Sequence, residues 1–149
     1  MTELIFRKAA TADLDAIIAL LADDILGASR ENAEKQVYID AFHAIDTDPN
    51  QFLAVAEENG RITGTLQLTF IPGLSRSGMK RGQIEAMRIA SDRRGEGLGE
   101  AMFEWAIEKC RKEGCGLVQL TTDRKRPDAH RFYERLGFEA SHIGYKLQL

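Results

Sequence analysis

Apolar positions along this chain recur with two different periods, and the changes of period mark its elements. Leu4 to Arg7 reads as a short first strand. Thr11 is placed to cap a helix whose first turn carries Asp13 and Asp15, acids suited to the positive end of a helix. In that helix Leu14, Ile17, Ile18 and Leu21 follow the helical period and form one apolar face. Ser29 is placed to cap a second helix, with Val37, Ala41 and Ile45 near one stripe, and Asp48-Pro49-Asn50 stops it. Phe52 to Val55 and Ile62 to Ile71 flank Asn59-Gly60, the pair that most readily turns a hairpin because both residues tolerate positive φ.

After a loop from Pro72 to Arg81, Gln83 to Ile89 reads as a buried strand. Leu98 to Lys112 is amphipathic: Leu98, Met102, Ala106 and Cys110 recur every four residues, with Phe103 and Ile107 alongside. Gly114 supplies its stop, Gly116 to Thr122 is a strand, and Pro127 opens a last helix that Gly137 closes. Phe138 to Leu149 returns as one or two strands. The order predicts an α/β fold: a mixed, mostly antiparallel twisted sheet with helices on both faces. Strand 83–89, helix 98–112 and strand 116–122 make one central parallel β-α-β unit with a right-handed crossover.

With 149 residues and no repeat, low-complexity tract or linker, the chain reads as one domain over residues 1–149. No apolar run has the length of a membrane span, and Met1 to Phe6 lacks the basic start of a signal peptide. Cys110 and Cys115 fit neither a disulfide framework nor a zinc ribbon, so reduced thiols and a cytoplasmic location are expected. Three histidines and two cysteines show no metal spacing, and no metal is expected. The net charge of −3 divides unevenly, −7 over residues 1–70 and +4 over residues 71–149. Alone, that asymmetry reads as solvated surface.

Arg94-Gly95-Glu96-Gly97-Leu98-Gly99 lies between a buried strand and an amphipathic helix. Glycines there let backbone approach a ligand closely, and free N–H groups at the helix start suit phosphate or pyrophosphate. Arg93 and Arg94 add positive charge at the entrance. A Walker loop would continue with Lys and then Ser or Thr, whereas Glu100 and Ala101 follow Gly99. A dinucleotide fingerprint would place glycine at the sixth position from Gly95, which is Glu100. The loop alone also fits simple helix packing.

The same hexapeptide resembles the Arg/Gln-x-x-Gly-x-Gly/Ala signature of the GNAT superfamily of N-acetyltransferases. Ala129-His130-Arg131-Phe132-Tyr133-Glu134-Arg135-Leu136-Gly137-Phe138 is similar to that superfamily's Ala-x-x-x-Tyr-x-x-x-Gly-Phe signature, and Phe6 to Ala9 with Asp15 to Leu21 resembles its first strand and helix. The resemblance covers nearly the whole chain. It implies acetyl-CoA as cosubstrate, with the pyrophosphate on backbone N–H groups of the loop Arg94, Gly95, Glu96, Gly97, Leu98 and Gly99. It further implies that Met87, Arg88 and Ile89 pair with the pantetheine arm as if it were a strand. That pairing requires strands 83–89 and 116–122 to splay apart, which a bulge near Met87–Arg88 would do.

The resemblance places Tyr133 near the coenzyme sulfur as general acid, while Ala129, Phe132, Tyr133 and Leu136 also form one packing stripe. A backbone N–H at Met87 or Arg88 would stabilise the oxyanion. Glu85, the sole acid on an otherwise apolar strand, is the candidate base; desolvation would raise its pKa, and a salt bridge to Arg88 or Arg81 is the alternative. Arg126 stands where many members of the superfamily have an Asn that helps hold the coenzyme. With Arg124 and Lys125 it could contact the phosphates or face water. Cys115 has no neighbour in sequence that would activate it.

The expected activity is acetyl transfer to a primary amine by direct attack in a ternary complex. The alternative is a non-catalytic acyl-CoA binding or sensing module. The acceptor is a small-molecule or protein amine, nucleic acid and membrane are not expected, and a homodimer is left open. In the light of the resemblance, the acids Asp23, Asp24, Asp40, Asp46 and Asp48 would favour a cationic acceptor.

Overall fold

Asn59 and Gly60 turn the chain with φ of 50° and 82°, joining β2 (Gln51–Glu58) to β3 (Arg61–Ile71) in an antiparallel hairpin. The computed structural model describes residues 3–23, 27–123 and 127–149. β1 (Leu4–Lys8) pairs antiparallel with β2, and β4 (Arg81–Ile89) antiparallel with β3. β5 (Leu117–Gln119) runs parallel to β4, which gives the strand order β1-β2-β3-β4-β5.

Alternation along the strands sends side chains to two separate cores. Ala54, Ala56, Leu66, Leu68 and Ile84 meet Leu98, Met102, Phe103, Ala106 and Cys110 of α3 (Leu98–Lys112). Phe132, Tyr133 and Leu136, from α4 (Pro127–Arg135) and its end, pack against the same cluster. On the opposite face Val55 meets Leu14 and Ile17 of α1 (Leu14–Ala22) and Phe42 of α2 (Lys35–Asp46). Helices therefore cover both faces, as the pattern predicted. At Gly82 an added Cβ would stand 2.5 Å from the Cys110 sulfur, so α3 sits against β4 at a spacing that only glycine allows. That contact fixes the line along which the glycine loop enters α3. No helix among the described residues is long and apolar enough to cross a membrane.

Several boundaries differ from the sequence reading, each for a local reason. Thr11 to Asp13 is a 3₁₀ turn rather than the start of α1. The Asp13 carboxylate accepts from the Ala10 N–H at 2.7 Å and from Arg7 at 2.7 and 3.0 Å, so it secures the entry to the 3₁₀ turn, and α1 starts after it without a side-chain cap. Ser29 lies in a single turn, Gly27–Arg30, and α2 begins only at Lys35. The polar stretch between them has no apolar face to pin it as helix. β5 is shorter than the expected 116–122 because β4 leaves it after Gln83, and residues 120–122 have no parallel neighbour. From Phe138 to Leu149 no strand forms, and every residue of 139–149 is exposed. The parallel β-α-β unit accordingly lies at one end of this sheet rather than at its centre.

Candidate active site

β4 changes character halfway along. Glu85 pairs with Gln67 and Arg88 with Thr65, so the single residue Leu66 faces two, Ala86 and Met87. This is a β-bulge, one residue before the expected Met87–Arg88 position. Ala86 takes φ of 53°, a left-handed conformation that costs a residue with a Cβ about 1–2 kcal/mol. Such conformations cluster at functional sites. On its other side β4 pairs with β5 over Arg81, Gly82 and Gln83, and among the described residues no strand pairs with 84–89 there. There the Met87 carbonyl accepts from Arg88 Nη1 at 2.8 Å and the Ile89 carbonyl from Arg94 Nε at 3.1 Å.

The glycine loop follows shortly after this stretch of β4. Gly95 and Gly97 have φ of 79° and 85°, and a Cβ built on either would meet nothing within 4 Å. The loop thus presents bare backbone to open space at the start of α3, where the first helical N–H groups lack intrahelical partners. A cradle of this kind fits a pyrophosphate.

The two arginines beside the loop have different tasks. Arg93 donates twice to Glu58, at 2.7 and 2.6 Å, and also pairs with Glu96. It holds Glu58 below the usual carboxylate range and ties the loop to the end of β2. Its charge is therefore spent within the protein. Arg94 reaches across to the end of α1, where Nη2 donates to the Asp23 carbonyl at 2.8 Å with the carboxylate at 3.8 Å. Arg126, Arg124 and Lys125 lie outside the described residues.

Tyr133 is half-buried against Phe103, Phe132 and Phe138, with ring centroids at 5.6, 5.7 and 6.3 Å. Phe132 reaches the loop itself: its Cζ lies 3.8 Å from a Cβ built on Gly99, as do Met87 Cε and Ile89 Cγ1. The packing stripe and the loop are thus one assembly, and α4 brings its aromatic residues to the loop.

Glu85 does not stand among apolar groups. It is exposed, and its carboxylate accepts a hydrogen bond from the Gln83 amide. Gln83 in turn accepts from Gln119 at 2.8 Å, and Arg81, one expected salt-bridge partner, donates to Gln119. Strand alternation explains the difference, because it sends Glu85 to the face opposite Ile84, with Gln83 beside it. Burial pushes the Cys110 thiol up to about 12 and raises that of Cys115, so neither provides a thiolate. His130 Nε2 contacts the Asp123 carbonyl at 3.3 Å, and His142 Nδ1 the Ser141 hydroxyl at 2.7 Å.

Behind the bulge lies a cavity of about 130 Å³ that sequence reasoning missed, between α1, α2 and the sheet. Leu14, Ile17, Ile18, Leu21, Tyr38 and Phe42 line it, together with Gln67 and Ala86. No charged side chain belongs to its wall among the described residues. The acids singled out earlier stand elsewhere with local partners: Asp23 with Arg94, Asp40 with Gln36, Asp46 with Lys8 and Asp48 with the Asn50 N–H. Asp24 lies outside the described residues.

The chain matches the Acetyltransferase (GNAT) family over residues 16–138. It is 32% identical over 139 residues to an aminoalkylphosphonate N-acetyltransferase of Salmonella typhimurium, covering 93% of this chain and 87% of that protein. It is 36% identical over 93 residues to a glucosamine 6-phosphate N-acetyltransferase of Trypanosoma brucei brucei, covering 62% of this chain and 61% of that one. A crystal structure from Bacillus halodurans C-125, described as a transcriptional regulator, superposes with a TM-score of 0.94 at 46% identity, covering 99% of this chain and 100% of that one. A bulged strand parting from its neighbour beside a bare glycine loop, and a family match across most of its length, lead to one conclusion: the chain belongs to the GNAT acetyltransferase family and is an acetyl-CoA-dependent N-acetyltransferase.

Proposed function

We propose that this chain acetylates the primary amine of a small molecule by direct attack with both substrates bound, and that the amine is a monoamine with a short hydrocarbon body. The observation that carries this reading is the departure of β4 from β5 where the glycine loop begins. Backbone N–H groups of Gly95, Gly97, Leu98 and Gly99 hold the pyrophosphate, and the edge formed by Met87, Arg88 and Ile89 orients the pantetheine arm. When bound, the coenzyme supplies an acetyl group activated as a thioester.

The remaining chemistry falls to side chains. An amine reaches the enzyme protonated and must lose that proton before it attacks. Glu85, exposed beside the bulge and held by Gln83, receives the proton through water. The Tyr133 hydroxyl gives a proton to the departing sulfur, and an N–H at Met87 or Arg88 faces the developing negative charge.

The cavity behind Ala86 supports the acceptor class. Its hydrocarbon wall suits an alkyl body and disfavours a polyamine, whose buried ammonium groups would find no acid there. The described acids that suggested a cationic acceptor stand outside this wall, and a protonated monoamine remains within that expectation. The two enzymes named above act on amines that also carry an acidic phosphorus group, so such amines belong in the test.

Thiol release from acetyl-CoA is measured with n-alkylamines of increasing length, aminoalkylphosphonates, glucosamine 6-phosphate and spermidine. Short n-alkylamines are expected to give a higher kcat/KM than spermidine. Spermidine as the better acceptor would overturn the assignment of acceptor class. Coenzyme binding without thiol release for any amine would instead favour the sensing module.

A further inference from the structure

Gln67 stands where two parts of the site meet. The register places Glu85, Gln67 and Leu53 side by side across β4, β3 and β2, on one face of the sheet. Neighbours of this kind have Cβ atoms about 4.5–5.5 Å apart, so the Gln67 side chain borders the exposed carboxylate of Glu85. On its other side it lines the cavity between α1, α2 and the sheet. A carboxamide therefore lies between a hydrocarbon chamber and a free acid.

Its hydrogen bonds decide what it can offer. Gln67 Nε2 donates to Gln51 Oε1 at 2.8 Å, and the same oxygen accepts from the Thr69 hydroxyl at 2.9 Å. Two donors fix the Gln51 oxygen, which in turn fixes the Gln67 amide with its nitrogen committed. Among the described residues Gln67 Oε1 accepts from no donor, and it is not sealed from solvent. The other polar side chains of the cavity wall have spent their protons within the protein. The Tyr38 hydroxyl donates to Glu31 at 3.2 Å and that of Thr65 to the Ala54 carbonyl at 2.9 Å. Gln67 thus presents a fixed acceptor oxygen that no described donor uses.

We propose that Gln67 selects and orients the acceptor amine: its Oε1 accepts a hydrogen bond from the amino group while the hydrocarbon body occupies the cavity. The inference rests on the acceptor reading given above and adds the residue that reads the nitrogen. A protonated amine brings three N–H groups. One proton leaves through water to Glu85, one N–H stays on Gln67, and the freed lone pair attacks the thioester carbon. Gln51 and Thr69 are positioning residues, acting only through the Gln67 amide. A carbonyl held in an otherwise hydrocarbon wall also rejects a body of the same shape without an N–H, because its own hydrogen bond would go unmade.

Initial rates with n-butylamine and with spermidine, each varied against acetyl-CoA, test the assignment. Gln67→Met and Gln67→Leu keep the bulk and delete the acceptor oxygen. Either should raise the amine KM about tenfold or more, the size expected of a hydrogen bond to a charged group, while the KM for acetyl-CoA and the melting temperature stay near those of the parent. Gln67→Glu restores an acceptor oxygen and should bring the amine KM back toward the parent value. Gln51→Leu should raise the amine KM less, since the oxygen is present but no longer fixed. An unchanged amine KM in the apolar variants overturns the proposal. So does a glutamate variant as impaired as the apolar ones, or a rise in both KM values together with a fall in melting temperature. A parent that prefers spermidine overturns the acceptor class alone, and a selective rise in the spermidine KM would still place that amine on Gln67.

Discussion

β3 and β4 lie side by side in one sheet and have opposite lives. β3 is flanked along most of its length by β2 and β4, and its Leu66 and Leu68 are fully buried. β4 keeps one full neighbour, loses the other after Gln83, and carries the left-handed Ala86. A strand paired on both sides has no backbone groups left to offer. A strand that loses one neighbour has an edge that no strand covers, and here that edge leads to a glycine loop with open space around Gly95 and Gly97. The contrast shows how one sheet can hold both a closed strand and an open one: β4 ends its pairing with β5 after Gln83.

The largest expected effect tests the aromatic side of the site. Tyr133→Phe keeps the ring edge-on to Phe103 and Phe138 but removes the hydroxyl proposed as proton donor. General acid catalysis contributes roughly 100- to 10,000-fold, so kcat should fall within that range while the melting temperature stays near that of the parent. An unchanged kcat would leave Tyr133 with a packing role alone.

A smaller effect is expected at the loop. Gly99→Asp adds a carboxylate in the first turn of α3, where acids favour the helix but oppose a bound phosphate. Coenzyme affinity measured by calorimetry should fall about tenfold or more, equivalent to about 1.4 kcal/mol. Gly99→Ala, whose Cβ meets neighbours at an ordinary 3.8 Å, should bind nearly as the parent does. Equal affinity for the Asp variant would remove the pyrophosphate from this loop.

The smallest effect concerns the tether that holds the loop to β2. Arg93 depresses the Glu58 pKa, so this pair adds stability above the unfolded value of about 4.3 and loses it as pH falls through the folded one. Glu58→Gln should lower the melting temperature at neutral pH and leave a gentler decline below about pH 4. Identical acid profiles for the two proteins would show that the tether contributes nothing measurable.

Much of this contrast was legible in the residues, because its parts have strong local signals. Asn59-Gly60 fixed the hairpin, and Gly95, Gly97 and Gly99 before the stripe from Leu98 to Cys110 located the loop. What sequence could not show depends on distant neighbours. Ala86 carries no sign of a left-handed backbone, since alanine rarely adopts one; the conformation goes with a register in which Leu66 faces two residues of the neighbouring strand. Glu85 read as a buried acid because Ile84, Ala86 and Met87 flank it, but its face of the strand is left uncovered there and it is exposed. The cavity is built from α1, α2 and the sheet, elements whose spacing no single segment encodes. The tail read as a strand from its alternation, a pattern that does not supply the neighbouring strand it needs.

The central claim is that the edge of β4 beyond Gln83, together with the loop after it, holds the coenzyme. Hydrogen exchange of the full chain with and without acetyl-CoA tests it directly, because a ligand that pairs as a strand must protect the amides it meets. New protection is expected within residues 84–89 and 95–99, with little change along β2 and β3. Protection confined to other segments, at saturating acetyl-CoA, would contradict it.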